Sequence, residues 1–331
     1  MRVLVTGGSG FLGQAICRRL HARGDEVVSL ARARNDALDK LGIAQIEADI
    51  TSYDAVVDAM EGFDAVIHCA AKVGPWGRLS EFYQVNVLGT DHVLAGCTVH
   101  GIRRLVFTST STVVHDGQDI NAGRETLPYA THFRAHYPAT KAIAERRVLR
   151  ANGPELATVA LRPHLVWGPG DPNLLPRLVE RSRKGRLRLV GKPGKRVDHV
   201  HVENAALAHL LALDRLEPGS PIAGRVYFIT QGEPLEIGEF LNALLQAARA
   251  PTVEKRWPLS IAYAFAAGSE LLWSLLRLKG EPPLTRFIVS QLASAHWFAI
   301  EAARRDLGYE PEIRTKEGLE QLSRWLLYHP Q

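Results

Sequence analysis

The first 23 residues of the chain constrain its fold more than any other stretch. Residues 2–6 have the apolar centre Val3–Val5 that is typical of a short buried strand. Residues 7–13 contain evenly spaced glycines at positions 7, 10 and 13, and residues 14–23 have a helical pattern. A strand, a glycine turn and a helix in this order form the context in which α/β proteins bind dinucleotides. The sequence therefore predicts an α/β fold with a cofactor site at its amino terminus.

The three glycines would each have a separate role in such a site. Gly7 would allow the tight turn, Gly10 would let the backbone approach a pyrophosphate, and Gly13 would let the helix pack on the sheet. Phe11 and Leu12, in the turn before the helix, would also contact the cofactor, and the helix N-terminus would offer free N–H groups and a partial positive charge to the phosphates. The alternative is a glycine-rich turn that binds no ligand.

Alternating strand and helix patterns in the rest of the chain favour a doubly wound (Rossmann) parallel sheet with a smaller, mostly helical C-terminal substrate lobe. With 331 residues, the chain is long enough for two closely joined domains. We expect residues 1–170 and 196–231 to form the dinucleotide-binding domain. Residues 171–195 and 232–331 would then form the substrate-binding lobe.

Composition excludes several functional classes. The net charge is +5, but the basic residues are spread out and are not interleaved with aromatic residues, so we expect no nucleic-acid partner. The cysteines Cys17, Cys69 and Cys97 lack the spacing of metal ligands, so we expect reduced thiols and no metal site. The chain shows no signal-peptide pattern, which favours a cytoplasmic protein.

The segments after the second and third strands predict which dinucleotide binds. An acidic residue at the end of the second strand, residues 26–30, would favour NAD. The chain has Ala31 there, and the following Arg32 fits a 2′-phosphate, so we expect NADP(H). Asp49 and Ile50 would then contact the adenine, although Asp49 is equally suited to capping a turn, and Arg32 to being a solvated loop charge.

Small residues follow the fourth strand, where the cofactor would pass close to the backbone. They are Ala70 and Ala71, and Lys72 comes next in a loop that would flank the cofactor and the substrate. Asn86 lies in the next helical pattern, where it either holds a water or a backbone carbonyl near the active site or packs as an ordinary polar group. Pro163 ends the sixth strand, before a loop that we expect near the nicotinamide.

A phenol and an ammonium separated by four positions predict the chemistry. Tyr137 and Lys141 would share one face of a helix that extends through Arg150. A tyrosine ionises near pH 10, and a lysine held close would lower that pKa, so the pair can exchange a proton with a carbonyl or an alcohol. Thr110, at the end of the fifth strand, would bind the same oxygen, with Ser109 and Ser111 as alternatives.

The most apolar stretch is residues 258–278, but Glu270 and Arg277 interrupt it, so a membrane-spanning helix is not expected. One interpretation is a tunnel for alkyl chains. Another is a segment that rests on a membrane surface. A third is ordinary helical core or a dimer interface, and we expect a homodimer.

With these motifs in view, the chain resembles the extended short-chain dehydrogenases/reductases over nearly its whole length. The shared segments are Gly7–Gly13, Thr108–Thr112, Tyr137–Lys141, Leu161–Pro163 and Trp167–Gly170. Three further segments are similar to the 3β-hydroxysteroid dehydrogenase branch of that family. These are Val73–Gly77, Pro282–Arg286 and Ala302–Pro311.

The resemblance implies that Tyr137 is the general acid, that Lys141 binds the nicotinamide ribose and lowers the tyrosine pKa, and that Thr110 is the catalytic hydroxyl. Residues 136–141 and 164–173 further resemble enzymes of long-chain olefin biosynthesis. They imply reduction of a long-chain 2-alkyl-3-oxo acid to its 3-hydroxy acid by NADPH. Partners would then include condensing and β-lactone-forming enzymes. Alternatives are a steroid dehydrogenase, a nucleotide-sugar epimerase or reductase, and a binding protein that senses NADP(H).

Overall fold

The structure is a computed structural model that describes residues 1–329. Within this range the strands are β1 (Arg2–Thr6), β2 (Glu26–Ala31), β3 (Ala44–Glu47), β4 (Ala65–His68), β5 (Arg104–Thr108), β6 (Ile120–Gly123), β7 (Ala157–Pro163), β8 (Val166–Trp167), β9 (Leu189–Val190), β10 (Arg196–Val197), β11 (Val200–His201), β12 (Arg225–Ile229), β13 (Leu235–Glu236), β14 (Arg256–Trp257) and β15 (His296–Phe298).

The α-helices of the same range are α1 (Phe11–Ala22), α2 (Asp36–Asp39), α3 (Tyr53–Asp58), α4 (Leu79–Tyr83), α5 (Gly89–Val99), α6 (His136–Arg150), α7 (Leu174–Arg183), α8 (Val202–Arg215), α9 (Ile237–Ala247), α10 (Leu259–Leu275), α11 (Arg286–Ala293) and α12 (Thr315–Tyr328). A π-helical turn, Gln84–Leu88, joins α4 to α5, and a second one spans Ala303–Leu307.

The main sheet is the doubly wound parallel sheet that the sequence predicts. Its seven strands lie in the order β12, β7, β5, β4, β1, β2, β3, and each neighbouring pair is parallel. The winding direction reverses between β1 and β4. In open α/β sheets, ligands bind at such a switch point, outside the carboxyl ends of the strands.

Helices cover both faces of this sheet, which explains the continuous apolar runs in its strands. In β1, Val3 and Val5 point to the face covered by α1 and α8, and Leu4 points to the face covered by α3, α5 and α6. All three side chains are fully buried. The arrangement leaves the loops at the carboxyl edge as the accessible part of the sheet.

A smaller sheet and five helices, α7 and α9 to α12, form a second lobe within the described residues. The sheet has the order β13, β10, β15, β6, and α7, α9 and α12 pack around a separate buried cluster that includes Trp167, Phe240 and Leu322. Two chain segments join the lobes: β6 pairs with β15, and residues 300–309 pack into the core of the main sheet. The division into two domains given above stays a prediction.

Helix α10 packs on α11 through small residues and leaves its large apolar residues exposed. Ala262 and Ala266 are fully buried, whereas Ile261, Leu271 and Leu275 are each more than half exposed. Within residues 1–329, no helix has both the length and the apolar character needed to cross a membrane.

Candidate active site

The predicted catalytic residues lie together at the carboxyl edge of the main sheet. Strand β5 ends at Thr108, and Thr110 follows at the start of a short 3₁₀ turn. Helix α6 packs against this turn and carries Tyr137 and Lys141 one turn apart, which confirms the predicted helix. Pro138 is tolerated because the first turn of a helix has no intrahelical acceptor for its N–H groups.

Lys141 is buried at this edge, with 2% of its surface exposed. Its Nζ donates a hydrogen bond to the Thr108 carbonyl oxygen at 2.7 Å and lies 3.9 Å from the centre of the Phe107 ring. Burial lowers the pKa of Lys141 to about 7, and the nearby Cys69 and Glu145 oppose this decrease. The side chain therefore gains and loses its proton close to neutral pH.

Tyr137 differs from the sequence-based expectation in its acidity. Burial raises the pKa of Tyr137 to about 12, and the interaction with the Thr110 hydroxyl opposes the rise. Lys141 was expected to lower this pKa, but its ammonium is held at the Thr108 carbonyl and its own charge is disfavoured by burial. The phenol is therefore protonated at neutral pH, which is the form that can donate a proton to a ketone oxygen.

The three hydroxyls after β5 have different surroundings. Thr110 interacts with Tyr137, and its Oγ1 lies 3.0 Å from Oγ1 of Thr112. Ser111 is directed elsewhere, because its Oγ lies 2.5 Å from Nδ1 of His164. The Ser109 hydroxyl is buried and has no hydrogen-bond partner within the described residues. This arrangement favours Thr110 as the hydroxyl that shares a reacting oxygen with the tyrosine.

Asn86 connects the loop after β4 to helix α6. Its Oδ1 accepts a hydrogen bond from the Lys72 backbone N–H at 2.7 Å, and its Nδ2 donates to the Lys72 carbonyl and to Oγ1 of Thr140, both at 3.0 Å. The side chain lies in the π-helical turn and is almost fully buried. Of the two roles left open by the sequence, Asn86 thus has the first: it holds a backbone carbonyl next to the catalytic helix.

The glycine turn leaves no room for side chains. A Cβ at Gly13 would lie 2.1 Å from the Gly7 carbonyl oxygen, and a Cβ at Gly7 would lie 2.7 Å from the Ala70 nitrogen. Gly7 also has a positive φ of 70°. Helix α1 begins at Phe11, three residues earlier than the sequence pattern indicates, so Phe11 and Leu12 belong to its first turn. The free N–H groups of that turn suit the phosphates of a dinucleotide.

The residues predicted for the adenosine end lie at the ends of β2 and β3. Arg34 is paired with Asp39, whereas Arg32 has no carboxylate partner among residues 1–329 and is exposed. Asp49 accepts hydrogen bonds from the Thr51 backbone N–H and hydroxyl, which lower its pKa together with the charge of Arg32. Asp49 therefore caps a turn, and the guanidinium of Arg32 lies close enough to influence its pKa.

Three other predicted residues line the same edge of the sheet. Ala70 and Ala71 follow β4 and are half-buried, and Pro163 ends β7, where it pairs with Ile229 of β12. Ile50 is buried against Gly89, where an added Cβ would lie 3.0 Å from it. The residues present thus fit an extended dinucleotide across the switch point of the sheet.

A cleft of about 1110 Å³ opens beside the catalytic helix. Its walls come from the loop after β4, the segment before α6 and the end of α10, and they include Lys72, His136, Trp273 and Glu281. The lining mixes aromatic and charged side chains. It is therefore not the uniformly apolar tunnel that one interpretation of the C-terminal stretch predicts, because the large apolar residues of α10 point to solvent.

Comparison with known proteins decides the family. The profile of the 3-beta hydroxysteroid dehydrogenase/isomerase family matches residues 4–260. The chain belongs to this family. It is therefore a nicotinamide-dependent oxidoreductase, as the Tyr137 and Lys141 pattern predicts.

Relatives of this oxidoreductase match it almost from end to end. It is 52% identical to the 2-alkyl-3-oxoalkanoate reductase of Stenotrophomonas maltophilia, over 97% of this chain and 98% of the relative. The 2-alkyl-3-oxoalkanoate reductase of Shewanella oneidensis is 42% identical over 96% of this chain and 84% of its own. The 3 beta-hydroxysteroid dehydrogenase/Delta 5-->4-isomerase of Mycobacterium tuberculosis is 36% identical over 96% and 88%.

Solved structures share the fold of this family member. MoeE5 in complex with UDP-glucose and NAD superposes with a TM-score of 0.77 at 23% identity, covering 100% of both chains. The UDP-glucose 4-epimerase of Thermus thermophilus in complex with NAD has a TM-score of 0.73 at 27% identity, covering 99% of both. These likenesses confirm the predicted Rossmann architecture.

Sequence reasoning missed one buried residue on the catalytic face of α6. Glu145 follows Tyr137 and Lys141 at the same helical spacing, and it pairs with Arg162 of β7 at 2.5 Å, with both side chains almost fully buried. Glu145 also accepts a hydrogen bond from the Tyr129 hydroxyl at 2.6 Å. The repeated spacing of four was the available signal. This ion pair fixes the helix that carries the catalytic residues to the sheet.

A buried chain of histidines behind the site was also missed. Ser111 bonds His164, whose Nε2 lies 2.7 Å from Nδ1 of His296, and Nε2 of His296 lies 2.8 Å from the Gln291 carbonyl oxygen. The Gln291 carbonyl can only accept, so His296 carries its proton on Nε2 and its Nδ1 is an acceptor. His164 must then donate from its Nε2 to His296, which leaves His164 Nδ1 to accept a hydrogen bond from the Ser111 hydroxyl. Burial lowers the pKa values of both histidines, so the chain is neutral and connects the catalytic turn to the second lobe.

Proposed function

We propose that this enzyme reduces the ketone of a long-chain 2-alkyl-3-oxoalkanoate to the 2-alkyl-3-hydroxyalkanoate. The observation that carries the proposal is the end-to-end 52% identity with a reductase of that name. The neutral Tyr137 phenol beside Thr110 supports the direction of reaction, because reduction of a ketone requires a proton donor.

When bound, NADPH supplies the hydride. Tyr137 donates its proton to the oxygen of the ketone, and the Thr110 hydroxyl hydrogen-bonds the same oxygen as negative charge develops on it. Lys141 binds the nicotinamide ribose and supplies positive charge to the tyrosinate that remains. Because its pKa lies near 7, Lys141 can pass a proton to Tyr137 after the step.

We infer a preference for NADP(H) over NAD(H). Ala31 replaces the acidic residue that would bind a free ribose hydroxyl, and Arg32 has no carboxylate partner within residues 1–329. A guanidinium that is not paired with a carboxylate can bind the 2′-phosphate of NADP(H). The first-turn residues of α1, the adjacent Asp49 and Ile50, and the small Ala70 and Ala71 would hold the rest of the dinucleotide.

We further propose that the enzyme is cytoplasmic and forms a homodimer. Residues 258–278 would rest on a lipid surface, and the enzyme would work beside condensing and β-lactone-forming enzymes. The exposed leucines of α10 support the contact, because an apolar helix face of this size is rare on isolated soluble proteins. Lys255 and Lys279 flank the helix and would favour anionic lipids.

The test runs the reaction in the oxidative direction, because β-keto acids lose CO₂ spontaneously. Purified protein is mixed with NADP⁺ and a long-chain 2-alkyl-3-hydroxyalkanoic acid, and NADPH is followed by absorbance. We expect turnover with this pair, slower turnover with NAD⁺, and a loss of about 10²–10⁴-fold in the Tyr137→Phe variant, the range for one general acid.

The parallel reactions separate the alternatives. Turnover of a 3β-hydroxysteroid in place of the acid would contradict the proposed substrate and favour the steroid dehydrogenases. Conversion of a UDP-sugar would favour the epimerases. NADP⁺ binding by the Tyr137→Phe variant, measured by fluorescence titration, controls for the integrity of the cofactor site, and substantial residual turnover in that variant would reject the role of the tyrosine.

A further inference from the structure

One guanidinium in the cleft lies against an aromatic ring and has no carboxylate partner among residues 1–329. Arg134 lies three residues before Tyr137 and lines the cleft together with His136. Its guanidinium carbon lies 5.2 Å from the centre of the Tyr263 ring, a cation–π contact. A Cβ at Gly117 would lie 3.1 Å from its Nε, so a glycine in a left-handed conformation leaves room for the arginine.

Two other cations of the cleft are already neutralised. Lys72 pairs with Glu81 at 3.0 Å, and Arg286 pairs with Glu270 at 2.6 Å. Within residues 1–329, Arg134 has no carboxylate at ion-pair distance and donates no hydrogen bond to the protein. The side chain is exposed in the cleft, the Tyr263 ring and Gly117 lie beside it, and its N–H donors stay available to a ligand.

We propose that Arg134 binds the carboxylate of the substrate and makes the enzyme selective for acids over neutral ketones. This inference rests on the proposed function, in which the carboxylate is two bonds from the ketone carbon. Tyr137 would bind the ketone oxygen, and Arg134 precedes it by three residues, so a substrate held by Tyr137 has a guanidinium at the same end of helix α6. A planar guanidinium presents paired N–H donors that match the two oxygens of a carboxylate.

Two other arginines of the cleft, Arg78 and Arg277, also lack a carboxylate partner within the described residues. Arg134 differs from them because its guanidinium lies against the Tyr263 ring and beside Gly117, and a binding group that already has a contact partner loses less conformational freedom. Arg277 follows the last turn of α10 on another wall of the cleft, which makes it the matched control.

The assignment also has a chemical consequence. A β-keto acid loses CO₂ fastest when the carboxyl proton passes to the ketone oxygen. A guanidinium at the carboxylate stabilises the ionised form, which has no such proton. The same contact that selects the acid would thus protect it until the ketone is reduced.

The experiment compares a long-chain 2-alkyl-3-hydroxyalkanoic acid with its methyl ester, both oxidised with NADP⁺. We expect the wild-type enzyme to prefer the acid in kcat/KM. In Arg134→Gln that preference should fall by about 10- to 100-fold, the range of one charge-assisted hydrogen bond, mainly through a higher KM for the acid. Arg134→Lys should keep part of the preference for the acid over the ester. Arg277→Gln should keep the full preference.

The ester reports folding and the catalytic machinery, since it lacks the charge but reacts at the same carbon. Equal losses for acid and ester in Arg134→Gln would mean a packing role and overturn the proposal. So would a wild-type enzyme with no preference, or a loss of preference confined to Arg277→Gln. These results leave the reductase function standing, whereas a wild-type enzyme that oxidises only the steroid contradicts the function itself.

Discussion

The carboxyl edge of the main sheet and the surface of helix α10 distribute polarity in opposite ways. At the sheet edge, Lys141 and Glu145 are charged groups of which at most 2% is exposed. On α10, Leu271 and Leu275 are apolar groups of which 59% and 71% is exposed. Both arrangements cost free energy in the isolated chain, since buried charge and exposed apolar surface are each unfavourable. Function, rather than stability, explains why both are present.

The two regions differ in the contacts that offset these unfavourable terms. The buried lysine gains one hydrogen bond to the Thr108 carbonyl and the contact with the Phe107 ring, and these offset only part of the loss of hydration, since its pKa remains well below its ordinary value. The exposed leucines gain nothing within the described chain. The first region therefore supports the proposed reactive role of Lys141, and the second supports the proposed contact with a surface outside the chain.

The largest effect on activity and on stability is expected from Lys141→Met, which removes the buried ammonium. The variant should lose about 10²–10⁴-fold in kcat because the tyrosinate is no longer stabilised. In the absence of cofactor it should nevertheless be more stable at pH 7, by a few kcal/mol, because about 1.4 kcal/mol accompanies each unit of pKa shift and the buried charge is removed. Loss of the Thr108 hydrogen bond reduces this gain by about 1 kcal/mol.

The pH dependence gives the sign of that stability effect. The pKa of Lys141 falls from 10.5 in the unfolded chain to about 7 in the folded one, so the unfolded chain binds more protons between these values. The stability of the wild type should therefore rise relative to the variant from pH 7 to pH 10. Thermal unfolding at both pH values measures the difference, and a variant that is less stable at pH 7 would show that the charge is not destabilising.

The sequence predicts the sheet edge better than the rest of the cleft, for a physical reason. Tyr137 and Lys141 are related by one helical turn, and the glycine turn is local, so short-range spacing is enough to place them. His164 and His296 are 132 residues apart, and Arg134 meets Tyr263 across a similar distance along the chain. Such contacts depend on how the two lobes pack, which no local pattern encodes.

The tyrosine pKa shows a different limit. A neighbouring lysine predicts a lowered value, but the direction of the shift depends on burial, and burial is a property of the assembled site. Thr110 was chosen from three adjacent hydroxyls by its place at the strand end and then by resemblance, and the structure separates them because Ser111 is turned toward His164. The identity of the groups was predictable, and their electrostatic environment was not.

A second, intermediate effect is expected on acidification. Burial lowers the pKa values of seven histidines. The pKa falls to about 3 for His68 and His199 and to about 4 for His115, His201 and His209, and it is also lowered for His164 and His296. Below pH 6.5 the unfolded chain binds protons that the folded chain excludes, so stability should fall steadily from pH 6.5 to pH 4. Each histidine contributes a slope of about 1.4 kcal/mol per pH unit.

His199→Phe tests this account against a matched control. The His199 ring stacks on Phe240, its Nε2 has no partner among the described residues, and its Nδ1 accepts a hydrogen bond from Nε1 of Trp167 at 3.1 Å. A phenyl ring should fit, at a cost of about 1–3 kcal/mol at every pH for the unpaired Trp167 N–H, while one excluded proton disappears. Its denaturation profile should be shallower by about one proton between pH 6.5 and 4.5. His132→Asn, at an exposed position, should leave the slope unchanged. Equal slopes in all three proteins would contradict the assignment of acid sensitivity to buried histidines.

The smallest effect on catalysis is expected on α10. Replacing Leu271 and Leu275 by Ser should leave turnover of a short-chain, soluble substrate within about twofold, because surface substitutions rarely change stability by more than about 0.5 kcal/mol. Cosedimentation with vesicles of anionic lipid should fall several-fold, since each leucine exposes apolar area that a bilayer would cover. Replacement of the buried Ala266 by Ser on the opposite face is the control, and it should not alter vesicle binding. If the double variant sediments like the wild type but elutes as a smaller species in gel filtration, the exposed face of α10 meets a second copy of the chain rather than lipid.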